Sequence, residues 1–469
     1  MGQTTNLQDM YEGIEQAQKM NENLTKHDTI DTPAEVAQDL KAQAAKMKRE
    51  QLIAEAMADG RKLVTVRKID AIGDIPGADL IKVATVEGWK VVVKAGEFKS
   101  GDLCVFFEVD SYLPLDDERY AFLDKNAVNW EGIRGARLKT IRLRKQLSQG
   151  LALPLEVFPE IIDHLIGLGI GKSEVEKIRE INFTGVLGIM KWDKPINAQL
   201  AGMAKGNFPS FLRKSDQERC QNMGNQIFGY EPTYSAFDTA GIPPEALLAM
   251  SDRGEARYRT IDLNSGQWER VRPAQASRDT RYEVTLKMDG SSMTVYRHGE
   301  GDEVQEGVCS RNLDLKMEGN DENAFVQMAN EGVLQAMRDI DANDIALQGE
   351  LMGPSVQGNQ ERFSLMRFFV YNVFDIKKGE FMNPYDRQQF MKLMNDMAIS
   401  LGNLPVEHVP VLHMNVTLGE LGITDMQSLL KFADGPSMNS SVREGLVFKA
   451  VNGEHQFKAI SNKWLEAEK

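Results

Sequence analysis

Cysteine is scarce in this 469-residue chain: Cys104, Cys220 and Cys309 are far apart and odd in number. That count and spacing exclude a disulfide framework and a cysteine-ligated zinc site, and free thiols suit a reducing compartment. No apolar run reaches the roughly eighteen residues a membrane helix needs. The first residues, with Gln3, Asn6, Asp9 and Glu12, lack the basic-then-apolar order of a secretory signal. The expectation is a cytoplasmic protein. Positive charge is in deficit too, with 55 Lys and Arg against 69 Asp and Glu and a formal net charge of −14. A chain of that sign does not grip nucleic acid with its whole surface, so any polynucleotide site must be local. The densest basic cluster is Arg134, Arg137, Lys139, Arg142, Arg144 and Lys145; taken alone it reads as a solvated strand surface. Internal repeats are also lacking, which excludes a solenoid.

What is present is enough apolar material, 42% of the chain, for two or three domain cores. Residues 1–60 predict a helical N-terminal extension. Thr32, Pro33 and Glu35 form a helix start, Asp59-Gly60 a stop, and Val36, Leu40, Ala44 and Met47 one apolar stripe. Residues 61–155 change to short β-runs, such as Leu63–Val66, Ile81–Val86 and Trp89–Val93, broken by turns at Pro76-Gly77, Glu87-Gly88 and Gly101-Asp102. A barrel of the OB type removes the edges of so few strands, and such barrels often bind nucleic acid; the plainer reading is a brace for a neighbouring domain. Residues 156–205 read as a junction. Residues 206–469 form an α+β domain, in which the polar stretch 229–279 reads as an insertion.

Glu283-Val284-Thr285-Leu286-Lys287-Met288-Asp289 alternates strictly, so in a strand Glu283, Thr285, Lys287 and Asp289 share the face opposite Val284, Leu286 and Met288. Gly290 then breaks the strand and Ser291-Ser292 begin the return, leaving small side chains where a ligand approaches the backbone. An ordinary lysine is protonated at neutral pH, but burial and nearby cations lower its pKa and make it a nucleophile. A lone Lys-x-Asp-Gly is more often an exposed ion pair. Here it heads an ordered series of polar islands in β-like runs: Ser310-Arg311-Asn312, Gly349-Glu350, Tyr371–Ile376, Glu444–Lys449 and Phe457–Asn462.

This series resembles the nucleotidyl-acceptor motif and successive downstream motifs of the superfamily of DNA ligases, RNA ligases and capping enzymes. Within it the chain is most similar to RNA ligases with an N-terminal OB domain, the Deinococcus-type branch that seals nicks. Further segments carry that resemblance: Ile75–Asp79, Gly88–Phe98, Arg142–Leu151, Phe208-Pro209-Ser210 and Lys214–Arg219. It covers roughly residues 61–228 and 280–469. DNA ligases and capping enzymes usually carry another OB domain after the last motif, and none is expected after Lys458.

The resemblance implies a C-terminal nucleotidyltransferase domain of antiparallel sheets. Lys287 would attack the α-phosphorus of ATP to form lysyl-AMP. AMP would pass to a 5′-phosphate and be displaced by a 3′-hydroxyl, on RNA or RNA/DNA hybrid ends, in a nicked duplex. Asp289, Glu350 and Glu444 match carboxylates that hold hydrated Mg2+ or Mn2+, a hard cation suited to oxygen ligands. Arg311, Lys449 and Lys458 match contacts to ribose or phosphates, and Glu350 belongs to the nucleotide site as well. Phe374 matches an aromatic that stacks on adenine, although its run also reads as a strand buried on both faces. Thr285, Leu286 and Ser292 match further nucleotide contacts, the first two near the base. Two positions depart from the pattern: Leu286 stands where a glutamate is common, and Ile460 where a second lysine follows Lys458, with Lys463 as the nearest substitute. The contrasting reading is an RNA-binding or scaffold relative that kept the fold and lost the chemistry.

Overall fold

A computed structural model of the chain describes residues 33–58, 61–170, 175–194, 198–232, 258–262, 267–273 and 278–467. It resolves into two compact units that meet in sequence between Asp193 and Lys194. Among the described residues no helix is long and apolar enough to cross a membrane.

The first unit is built on an antiparallel sheet of β1 (Val64–Ile75), β2 (Ala78–Val86), β3 (Trp89–Lys94), β4 (Leu103–Phe107) and β5 (Leu151–Pro154), in the order β5-β4-β1-β2-β3. β1 pairs with β4 through Val64–Lys68 and with β2 from Ile69 onward, with a register shift between Ile69 and Ala71. Such bulges bend a strand and increase its twist, so one long strand serves both sides of an OB barrel. Inside lie Ile69, Trp89, Val91 and Phe106, all inaccessible to solvent. The helix α1 (Pro33–Ala58) docks on this unit near its C-terminal end, where Leu52 packs with Tyr112, Trp130 and Met190. Met47 of the expected stripe is exposed; Thr32, Asp59-Gly60 and the side chains of Val36 and Leu40 lie outside the described residues. Much of the expected junction is core: Phe158, Ile161 and Leu165 around α2 (Pro159–Gly167), then Ile178, Phe183 and Leu187, cluster with Val64, Val66 and Phe107.

The second unit is built on two large sheets. In the first, β7 (Ser291–His298) and β10 (Ile345–Met352) are central, flanked by β8 (Gln305–Cys309), β9 (Leu313–Leu315) and β11 (Arg367–Asp375), in the order β9-β8-β7-β10-β11. In the second, β6 (Arg281–Lys287), β12 (Val411–Thr417), β13 (Gly445–Ala450) and β14 (Gln456–Ile460) run β14-β13-β6-β12, and Glu218–Arg219 pairs in parallel with β14. Helix α3 (Pro384–Ser400) starts where Asn383 accepts from Asp386 N–H, with Pro384 in its first turn. Helix α4 (Met426–Ala433) begins with a capping box of Asp425 and Ser428. Of the stretch 229–279, strand Tyr230–Pro232 pairs with Gln267–Pro273, and residues 233–257 lie outside the described residues.

Candidate active site

The alternation of β6 decides what faces the cleft. Val284, Leu286 and Met288 enter the core, whereas Lys287 turns to the other side, where its Nζ lies 2.7 Å from Glu444 Oε1. Gly445 stands opposite Lys287 in the register, and a β-carbon there would come 2.2 Å from the Ala459 carbonyl oxygen. Gly290 closes the turn into β7 under a similar constraint: its β-carbon would sit 2.5 Å from the Leu351 carbonyl oxygen and 2.8 Å from Glu350 Cγ. With only hydrogen in that space, the Gly290 N–H donates to Glu350 Oε1 at 3.2 Å. Glu350 stands opposite Ser292. Side chains from two sheets thus meet around one lysine.

Charge at this meeting point is lopsided. Burial raises the Glu350 carboxyl to about 7; Lys287 opposes the rise, while Glu444 and Asp289 add to it. For Lys287, burial works to lower the pKa, but Glu444, Glu350 and Asp289 outweigh it and the amine is held above its ordinary value. The expectation of a lysine lowered by nearby cations is therefore corrected: among the described residues, the charged groups acting on it are the carboxylates Glu444, Glu350 and Asp289. A divalent cation fits this excess of buried oxygen donors and would relieve it. Among the described residues no three acidic, histidine or cysteine groups converge on one point; Glu350 and Glu444 beside one amine are a donor set that suits an ion keeping most of its own water.

The cations expected to meet phosphate are linked to this cluster through Tyr371, whose phenol is acted on by Glu350, Arg311 and Asp216. Arg311 Nη2 and Lys458 Nζ both reach Asp216, at 3.4 and 3.2 Å, so one carboxylate gathers them to a spot suited to an anion. Ser292 bonds the Tyr371 phenol, whose pKa burial raises, with Glu350 adding to the rise.

Four expectations need correction. Phe374 is 2% exposed, packed with Leu212, Tyr296, Cys309 and Ala346 and against the tilted ring of Phe381, so protein covers the ring expected to meet the base. A register shift between Gln348 and Gly349 leaves Tyr371 without a partner in the β10 ladder, and Tyr371 is the aromatic beside Ser292 and Glu350. Leu286 is buried in the core and its N–H donates to the Pro410 carbonyl, while Thr285 is buried on the lysine's face. Lys449 is turned inward: its Nζ donates to the Tyr371 carbonyl and to Asn372 Oδ1, and burial drives its pKa well down, with Arg387 adding to the effect and Glu283 opposing it. Finally, Lys463 pairs with Asp434 at 4.0 Å and does not replace the lysine missing at Ile460, which is 4% exposed in β14.

Beneath the site lies a network the sequence did not announce. Arg387 on α3 donates to Glu283 and, at 3.0 Å, to His408 Nε2; Gln388 donates to Glu283 at 2.9 Å. Because Arg387 can only donate, His408 Nε2 must accept, and its Nδ1 donates to the Val409 carbonyl. The ring is neutral, in keeping with a pKa that burial and Arg387 push down to about 4. Glu283 stands opposite Lys449 in the register, and Asn372 joins Lys449 to Ser215. Glu283 was visible on the lysine's face of β6, and Asp216 in the Lys214–Arg219 segment; Arg387 and His408 carried no local signal.

Comparison with known proteins agrees with this geometry. A family model of an OB-fold domain matches residues 63–155, and one described as RNA ligase matches residues 280–465. Curated proteins give no match. Among solved structures, RNA ligase of Naegleria gruberi with PPi is 36% identical over 87% of this chain and 99% of that one, with a TM-score of 0.63. Mutant forms of the same ligase, one with AMP and Mn and one with ATP and Mn, give the same identity, coverage and TM-score. The chain belongs to the RNA ligase family.

Proposed function

We propose that this chain joins 3′-hydroxyl and 5′-phosphate RNA ends with ATP as the AMP donor, through lysyl-AMP on Lys287. The carrying observation is the Lys287 amine held 2.7 Å from Glu444, beside Glu350 and Asp289. In the first displacement the Nζ–phosphorus bond forms and the bond to pyrophosphate breaks; Glu444, already bonded to Nζ, is placed to take the ammonium proton. In the second, an oxygen of the 5′-phosphate attacks the AMP phosphorus and Lys287 leaves. In the third, the 3′-hydroxyl displaces AMP. Asp289, Glu350 and Glu444 would hold Mg2+ or Mn2+, which neutralises charge at phosphorus. Arg311 and Lys458 orient phosphates as they orient Asp216, and Tyr371, rather than Phe374, offers a ring to the base. The Naegleria structures with ATP, AMP and Mn support these cofactors. An N-terminal OB domain supports the Deinococcus-type, nick-sealing branch, and free cysteines support a cytoplasmic site of action.

A nicked duplex is the substrate we favour, because the basic cluster includes a hairpin, Thr140–Leu143 with Gln146–Gln149, whose Arg142, Arg144 and Lys145 are exposed. Arg144 and Lys145 turn it with φ of 52° and 70°, a left-handed pair that usually falls to Asn-Gly. Non-glycine residues keep such strained backbone mainly where function holds it. Charge reversal at Arg142 and Arg144 should lower sealing of a nicked RNA duplex at least about tenfold at physiological salt, through lost phosphate contacts, and leave self-adenylylation within about twofold. Equal loss of both activities would assign the hairpin to the fold instead.

A further inference from the structure

Two of the carboxylates around Lys287 are supported by loops that touch each other. Glu350 sits near the end of β10, and the chain then makes the long excursion 353–366 before β11. Four non-glycine residues of that excursion, Ser355, Gln357, Asn359 and Arg362, are left-handed, with φ between 42° and 67°. Backbone of that kind persists only where its surroundings over-determine it. Glu444 follows the loop 434–443, which leaves the C-terminus of α4. Arg443 anchors that loop by donating to the carbonyls of Phe432, Ala433 and Asp434, and the Glu444 carbonyl accepts from Ser461 N–H at 2.9 Å.

Joining the two loops is Glu361, 5% exposed and far along the first of them. One of its oxygens accepts from the Ser437 hydroxyl, and the other accepts from Asn439 N–H at 2.7 Å. Its own carbonyl accepts from Asn439 Nδ2 at 3.0 Å. The adjacent Gln360 accepts from Trp464 Nε1 at 3.0 Å, which ties the excursion to the helix after β14 as well. Both donors to its carboxylate, the Ser437 hydroxyl and the Asn439 N–H, are neutral, and among the described residues it forms no ion pair.

We propose that Glu361 is a positioning residue for ligation: by pinning the loop after Glu350 to the loop before Glu444, it sets the spacing of the two carboxylates that would hold the divalent cation. This rests on the cation reading above. Groups that orient ligating carboxylates typically govern metal affinity by about 10–100-fold when removed. Its chemistry is that of a double acceptor, and Gln at 361 can accept from Asn439 N–H with its oxygen while donating to the Ser437 hydroxyl. Glu361→Ala breaks both links; Glu361→Gln keeps the staple without the charge.

The test uses full-length protein freed of AMP and two readouts, the Mn2+ concentration that half-maximally raises its melting temperature and the one that half-maximally supports lysyl-AMP formation. Glu361→Ala should move both midpoints upward about tenfold or more, with the rate at saturating Mn2+ nearly unchanged, and Glu361→Gln should restore both. Ser437→Ala, which removes a single bond from a partly exposed residue, should move them in the same direction by about threefold, and supplies the answer if Glu361→Ala does not fold. Unchanged midpoints in Glu361→Ala, or in a folded Ser437→Ala, would overturn the proposal, as would Glu361→Gln failing as badly as Glu361→Ala. A wild-type protein whose melting is insensitive to Mn2+ would overturn the cation reading itself, a result distinct from a normal wild type with silent variants.

Discussion

Arg387→Met will destabilise the protein by about 3–5 kcal/mol, the usual cost of leaving one member of a buried ion pair without the other. Both side chains of the Arg387–Glu283 pair are fully inaccessible to solvent. Gln388 would still donate to the Glu283 carboxylate, but the carboxylate would lose its paired charge and His408 Nε2 its donor. Burial opposes the charge on Glu283, and Arg387 is the first of the groups that hold its carboxyl below the ordinary range. Urea denaturation at pH 7 reads the loss directly. Glu283→Leu together with Arg387→Met should recover a good part of it, because two buried charges then leave together and the apolar replacements fill their volume. A single variant within 1 kcal/mol of wild type would mean that water reaches the pair.

Lys287→Ala should abolish sealing with ATP, by at least about a thousandfold, since no other group supplies the covalent acceptor. The same variant should still join a nick whose 5′-phosphate already carries AMP, within about tenfold of wild type, because in that displacement the amine is no longer bonded to phosphorus. The two substrates separate a missing nucleophile from a damaged site. Failure on both would show that Lys287 supports the cleft rather than, or as well as, carrying AMP. Retention of ATP-dependent sealing would assign the nucleophile elsewhere.

Periodicity made β6 readable, and with it the orientation of Lys287, because a strand has only two faces and Val284, Leu286 and Met288 leave the core no choice. Gly290 and Gly445 were readable as glycines but not as necessities; the clashes that exclude a β-carbon come from Leu351 and Ala459, which are distant in sequence. Phe374 and Tyr371 show the limit of the same reasoning. Counting by twos along β11 cannot see a register shift opposite Gln348 and Gly349, and that shift leaves Tyr371 out of the ladder, beside Ser292 and Glu350. Lys449 was expected at the phosphates from its motif position, and no local pattern shows that Asn372 and the Tyr371 carbonyl, both from another sheet, accept from its amine. The segment 156–205 was read as a junction because it mixes helical and irregular signals; Phe158, Ile161 and Phe183 are buried against barrel residues far upstream, a contact no local window contains. Arg387 and Glu361 belong to the same class. Each is a charged residue in an ordinary surface-like context, and only tertiary structure turns it inward.

Attachment of AMP to Lys287 can be read directly. Protein discharged with pyrophosphate, then mixed with Mg2+ and ATP labelled at the α-phosphate, should retain acid-labile label after denaturation, and peptide mapping should place that label on Lys287 alone. Label on another residue, or none on the discharged wild-type chain, would contradict the account.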